Sequence, residues 1–217
     1  MSIHLQNELR KLKKKIFSQC TVVEENLRFA IKSLLDKDKQ LADKVIAKDN
    51  EIDSFEIEIE EDCLKMLALY QPVATDLRMI VSILKINSDL ERVGDLAENI
   101  AQRSKTLADI EGEIPDFDFN DMCNISLKML NDSIDSLVDL DIKKAQVVID
   151  TDNEIDDMNS KMYDIFVDEV TKDPKKMKFY LNYLSVSRHL ERIADHATNI
   201  SEDVIYMIEG TIVRHAD

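Results

Sequence analysis

Asp89-Leu-Glu-Arg-Val-Gly-Asp95-Leu-Ala-Glu-Asn99-Ile100 is written a second time, one hundred residues on, as His189-Leu-Glu-Arg-Ile-Ala-Asp195-His-Ala-Thr-Asn199-Ile200. The Leu, Glu, Arg, Asp, Ala, Asn and Ile return at their positions. In each copy the apolar residues step by three and four (Leu90, Val93, Ala97, Ile100; Leu190, Ile193, Ala197, Ile200), which is the stripe of an amphipathic helix. Glu91 and Asp95, like Glu191 and Asp195, fall four apart beside that stripe, so each pair shares one helical face.

A second echo fixes the relation between the halves. Asp49-Asn-Glu-Ile-Asp53 returns as Asp152-Asn-Glu-Ile-Asp156, an offset of 103 (152 − 49), against 100 (191 − 91) for the first motif. Cys20 and Cys123 are also 103 apart, which carries the match into the first helix of each half. The period predicts an all-α chain of two tandem antiparallel three-helix bundles related by internal duplication.

Apolar periodicity places the helices at about 2–35, 39–70, 74–108, 116–138, 142–171 and 174–209. Gln71-Pro72 and Lys172-Asp-Pro174 break the chain because proline disfavours helix before it and donates no backbone hydrogen bond. Gly210 ends the last helix. Inner stripes are expected at Ile52, Phe55, Ile59, Met66 and Leu69, at Met79, Ile83 and Ile86, at Cys123, Leu127 and Leu130, and at Val148, Ile155, Met162 and Ile165. Glu111-Gly-Glu-Ile-Pro-Asp116 is dense in breakers at the midpoint, so the units are read as 1–110, a linker 111–115, and 116–217, with Asp116 capping the fourth helix.

A formal net charge of −16 argues against nucleic acid, whose phosphates it would repel, and favours metal cations or basic protein surfaces. Arg10-Lys-Leu-Lys-Lys-Lys15 is the only dense basic cluster, and it suits an acidic partner or peripheral association with an anionic membrane. No apolar run approaches the roughly 20 residues of a membrane span, and the amino terminus lacks the pattern of a secretory signal. Three widely spaced cysteines without a Cys-x-x-Cys read as reduced core thiols of a cytoplasmic protein.

The acidic motifs carry the chemistry. Asp53 and Glu91 stand 18 and 20 residues from the turn at Gln71 (71 − 53 and 91 − 71), so antiparallel packing brings the two pairs to one level. Asp49, Asp53, Glu91 and Asp95 form one candidate metal site, and Asp152, Asp156, Glu191 and Asp195 the other. One such pair is an ordinary solvated face; two pairs at matching height, repeated with their neighbours, ask for a cause. Carboxylates held together repel, and a multivalent cation reverses the sign. Hard oxygen donors suit Mg²⁺, Ca²⁺, Mn²⁺, Fe or Zn²⁺. Asn99 and Asn199 are candidate amide-oxygen donors, and Arg92 and Arg192 candidate orienting partners. His4 and His215 are terminal; His189 and His196 replace Asp89 and Leu96 of the first copy, and His196 adjoins the second acidic face. No metalloprotease, nucleophile, phosphate-loop or dinucleotide motif occurs. A carboxylate-bridged di-metal enzyme, hydrolase or oxidase, is the alternative, although helical enzymes of that type use Glu-x-x-His turned into the bundle core and this chain has no Glu-x-x-His.

The paired motifs, with the duplicated third-helix run and Gln71-Pro-Val-Ala-Thr-Asp-Leu-Arg78 at the turn before it, resemble the PhoU family over essentially the whole chain. Ala194 for Gly94 and His189 for Asp89 are departures within the second copy. The resemblance implies a cytoplasmic, non-enzymatic, homodimeric negative regulator of phosphate uptake and phosphate-starvation signalling. It would dock to the ATPase of a phosphate ABC transporter and to a phosphate sensor histidine kinase. It also implies a multinuclear iron or zinc cluster in each repeat at the acidic motifs, with Mn or Mg as alternatives.

Overall fold

The computed structural model describes residues 3–110 and 119–212. The expected linker 111–115, the cap at Asp116 and His215 lie outside them. Among the described residues there are six long helices: α1 (Ile3–Leu35), α2 (Lys39–Tyr70), α3 (Ala74–Ala108), α4 (Phe119–Asp139), α5 (Ile142–Lys172) and α6 (Met177–Glu209).

The duplication is visible in the turns. Lys37 and Leu140, 103 apart, both take a left-handed φ (51° and 54°) that reverses the chain. The next residue in each half, Asp38 or Asp141, caps the following helix. Asp38 accepts from the backbone N–H groups of Gln40 and Leu41 at 2.9 and 3.0 Å, and Asp141 from Lys143 and Lys144 at 2.9 and 3.2 Å. Each cap satisfies donors that the first helical turn leaves open, typically worth about 1 kcal/mol. The other pair of turns has diverged. Gln71 (φ 47°) closes α2 ahead of Pro72, whereas Pro174–Lys176 form one 3₁₀ turn. α6 therefore starts at Met177, three residues later than the apolar period suggests: proline fixes the first φ, and Asp173 caps the tighter turn through Lys175 N–H at 3.1 Å.

α1, α2 and α3 pack on one another, as do α4, α5 and α6, and α3 and α6 make the most extensive helix pair in the molecule. With α1 also against α4, the buried side chains form one continuous core rather than two. The α3–α6 seam runs antiparallel: Asp89 meets His196, and Lys85, one turn earlier on α3, meets Asp203, two turns later on α6. The contacts are His196 Nδ1 to Asp89 Oδ1 at 2.8 Å, Asn199 Nδ2 to the same oxygen at 3.3 Å, and Lys85 Nζ to Asp203 Oδ1 at 3.0 Å. Lys85 also lies 5.5 Å from the centroid of the Tyr206 ring.

Most expected stripes are buried, and the deviations have a helical cause. Leu69 is 74% exposed: Ile59, Cys63 and Met66 define the inner line, which continues to half-buried Tyr70 and leaves Leu69 about 100° to its side. Phe55, Met79, Leu127 and Ile165 are half-buried at the edges of their stripes. Gln19 and Asn26 on α1 are fully buried, and their amides have no hydrogen-bond partner.

Candidate metal centre

The acidic motifs lie where α2 faces α3 and where α5 faces α6. Ile52 is fully buried against α3, which turns Asp49 half inward and leaves Asp53 exposed. On the facing helix Leu90, Val93 and Ala97 are buried, so Glu91 and Asp95 flank the core, half-buried. Gly94 makes this approach close. A Cβ on Gly94 would stand 3.0 Å from Ile52 Cδ1 and 3.2 Å from Asp49 Oδ1.

Antiparallel packing brings the two motifs of the first half together, end to opposite end. Burial first, then the charges of Asp53, Glu98 and Asp95, push the Asp49 carboxyl up to about 7. Burial and then Asp95 raise Glu91, with further contributions from Glu56 and Asp53, while Arg92 pulls the other way. Arg92 touches both of its acidic neighbours, Glu91 at 3.4 Å and Asp95 at 3.1 Å.

The second half repeats the arrangement with altered neighbours. Burial followed by Asp195 and Asp156 raises Asp152; burial followed by Asp195 and Asp156 raises Glu191; and burial followed by Asp156 raises Asp195. Thr198 stands where the first half has Glu98 and donates to Asp152 Oδ1 at 3.2 Å, which favours the ionised form. The second face has exchanged one carboxylate for another at that corner: Glu202, where the first half has Gln102, acts on Asp152 in place of a residue-198 acid. Glu191 also lines a cavity of about 570 Å³ with Asn159, Ser160, Tyr163 and Arg188.

All eight acidic candidates therefore fall into two clusters, one per repeat. Both asparagines are engaged through their amide nitrogens: Asn99 donates to the backbone oxygen of Asp95 at 2.8 Å, and Asn199 to Asp89 Oδ1 on the seam at 3.3 Å. His196 faces the same seam. His189 is held neutral, pushed down to about 4 by burial and by Arg103, Arg192 and Arg188; Ser185 Oγ lies 3.3 Å from its Nε2. Glu98, at a position of the first motif that the second copy fills with Thr198, and Glu56, outside both motifs, also belong to the first cluster. Glu98 sits at i+3 from Asp95, a spacing that could have marked it.

Among the described residues no three acidic, histidine or cysteine side chains stand close enough together to enclose a metal ion as placed. The donors nevertheless fit one. Asp49 Oδ1 is buried without a hydrogen-bond partner, an arrangement that costs about 1–3 kcal/mol, and every neighbouring donor is a hard carboxylate oxygen suited to Mg, Mn, Fe or Zn.

A model described as the PhoU domain matches residues 16–104 and again 119–204. The chain is 41% identical over 211 residues to the phosphate-specific transport system accessory protein PhoU homolog of Aquifex aeolicus, covering 97% of this chain and 96% of the relative. It is 36% identical over 210 residues to the protein so named in Pseudomonas aeruginosa, covering 96% and 86%. Among solved structures, PhoU from Pseudomonas aeruginosa superposes with a TM-score of 0.91 at 35% identity, over 95% of this chain and 99% of the other. The phosphate transport system regulatory protein PhoU from Streptococcus pneumoniae gives 0.88 at 31%, over 96% and 99%.

Proposed function

This chain belongs to the PhoU family, and we propose that it is a non-enzymatic, cytoplasmic accessory protein of phosphate transport that restrains phosphate uptake and starvation signalling. The observation that carries this reading is the double match of the family model across both repeats, together with full-length relatives named for the phosphate-specific transport system. The mode of action is docking of helical faces to the transporter ATPase and to the sensor histidine kinase, with the chain acting as a homodimer. Among the described residues no helix is long and apolar enough to cross a membrane, so contact with membrane-bound partners is peripheral, and the Arg10–Lys15 cluster suits that position.

Each repeat binds a multinuclear iron or zinc cluster in this reading. Asp49, Asp53, Glu91 and Asp95 hold the first, and Asp152, Asp156, Glu191 and Asp195 the second. The metal supplies positive charge that cancels the repulsion among the carboxylates and stiffens the acidic face. Arg92 and Arg192 orient the carboxylates beside them. The partnerless, buried Asp49 Oδ1 supports this reading. A di-metal oxidase or hydrolase has no comparable support, because its carboxylates would sit inside the bundle rather than on a flank where Asp53 is exposed.

Two measurements test the proposal. Elemental analysis of protein purified without chelator is expected to find metal, and the Glu91→Ala, Asp95→Ala, Glu191→Ala, Asp195→Ala variant is expected to lose it; equal content in both rules these residues out. Pull-down against the purified ATPase and kinase domains is expected to retain at least one, and retention of neither, with or without metal, rejects the docking role.

A further inference from the structure

The chain carries 44 acids against 28 lysines and arginines, yet at the start of α6 several cations meet without an acidic side-chain partner among the described residues. Glu169 engages Lys172 at 2.9 Å and Lys176 at 3.3 Å, and its hydrogen bonds hold its own carboxyl below the usual range. Lys175, Lys178 and Arg103, the last near the end of α3, have no acidic side-chain partner among the described residues, and all three line one open trough of about 630 Å³. Its apolar part is Pro174, Met177 and Leu181, the last two 47% and 48% exposed.

At the corresponding place in the first repeat, where the end of α6 meets the start of α3, an acid stands opposite a cation: Lys85 pairs with Asp203 at 3.0 Å, at the positions that Ser185 and Arg103 hold in the trough. The duplicated scaffold thus places an ion pair there in one copy and, among the described residues, Arg103 without an acidic partner in the other. A small ligand is normally enclosed over most of its surface, and this trough is too open for that. An apolar floor rimmed by unpaired charge of one sign fits a protein segment, with apolar side chains making the contact and charge setting orientation and association rate.

We propose that the trough between the end of α3 and the start of α6 is a docking site for an acidic, apolar-bearing segment of a partner protein, with Arg103, Lys175 and Lys178 as the charge-reading residues. It goes beyond the regulatory reading above, since it holds whether or not the partner is the ATPase or the kinase.

The test places the photo-crosslinking residue benzoylphenylalanine at Leu181 in the full-length chain in cells of its source organism, and maps the adduct. The expected adduct is a partner segment in which acids outnumber cations around at least one apolar side chain. Its yield is expected to fall at least tenfold in an Arg103→Glu, Lys175→Glu, Lys178→Glu background, and to be unchanged in Arg10→Glu, Lys13→Glu, Lys14→Glu. A labelled synthetic peptide of the mapped sequence is expected to bind the purified protein with a Kd that rises at least tenfold in the first triple variant and steeply with salt. All three substituted side chains are exposed, and an unchanged thermal melt verifies folding. No adduct, an adduct to lipid or nucleotide, a segment without excess acid, or a Kd indifferent to the first triple variant would each overturn the proposal.

Discussion

Asp49 Oδ1 lies 3.2 Å from the point that a Cβ on Gly94 would occupy, so the first acidic cluster is closed by the absence of a side chain. The second repeat carries Ala194 at the same position. Replacing Gly94 by Ala gains about 1 kcal/mol of helix propensity and crowds Ile52 at 3.0 Å, so a denaturant titration is expected to move little. Asp49 is expected to shift outward, and metal affinity of the first site is expected to fall while that of the second holds. Gly94→Leu, which cannot be accommodated between the helices, is expected to destabilise the chain outright.

Protonation of the acidic faces sets a pH dependence with a definite sign. Asp49 is raised from 3.8 to about 7, and Glu91, Asp152, Glu191 and Asp195 are raised as well. Between about pH 4 and 7 the folded state binds the Asp49 proton that the unfolded state has released, so this group makes folding less favourable as pH rises through that window. His189, lowered from 6.5 to about 4, works against it, costing stability as pH falls below 6.5. In chelator, urea midpoints of wild type and Asp49→Asn are therefore expected to coincide near pH 4 and to separate by pH 7.5, with the variant the more stable. Parallel curves would reject the assignment.

The seam is expected to be sensitive at Asp89. Asp89→Ala removes the acceptor of both His196 and Asn199 and leaves two part-buried polar groups to find water, at a cost of about 1–3 kcal/mol. Urea unfolding monitored by circular dichroism gives the value. Loss within about 0.5 kcal/mol, the usual scale of a plain surface change, would mean that the contact does not hold the repeats together.

The cysteines are expected to be silent. Burial pushes Cys20, Cys63 and Cys123 up to about 12, and all three are free thiols in the core. Ellman's reagent at pH 8 is expected to find no fast-reacting thiol in the folded chain and three in urea.

Gln19→Met is expected to stabilise the protein. The amide is fully buried with neither its oxygen nor its nitrogen paired, and Met matches its length without the desolvation cost, so a gain of about 1 kcal/mol is expected. A denaturant midpoint below wild type would indicate a buried water at that amide.

Helix positions were legible in the sequence because a long amphipathic helix states its period many times over: α1, α2, α3 and α5 begin or end within a residue or two of where their stripes and breakers place them. Single positions at the ends, such as Leu69, were not, because one more turn of helix past its packing partner leaves the stripe without a core. The grouping of the eight acids followed from counting residues to the turn. What counting could not reach was the seam. Asp89, His196 and Asn199 come together only because α3 and α6 cross antiparallel, and no local pattern in either motif encodes that crossing. The amide nitrogen of Asn199 reaches across to Asp89, a contact that its own motif does not announce.

The seam also makes the two repeats complementary rather than interchangeable. If two copies of the first repeat met through α3 in the same way, Asp89 would face Leu96, and two copies of the second through α6 would set His189 against His196. Only the unlike repeats give the carboxylate its imidazole. This key works between the halves and within neither, so in this chain neither half is exchangeable for the other.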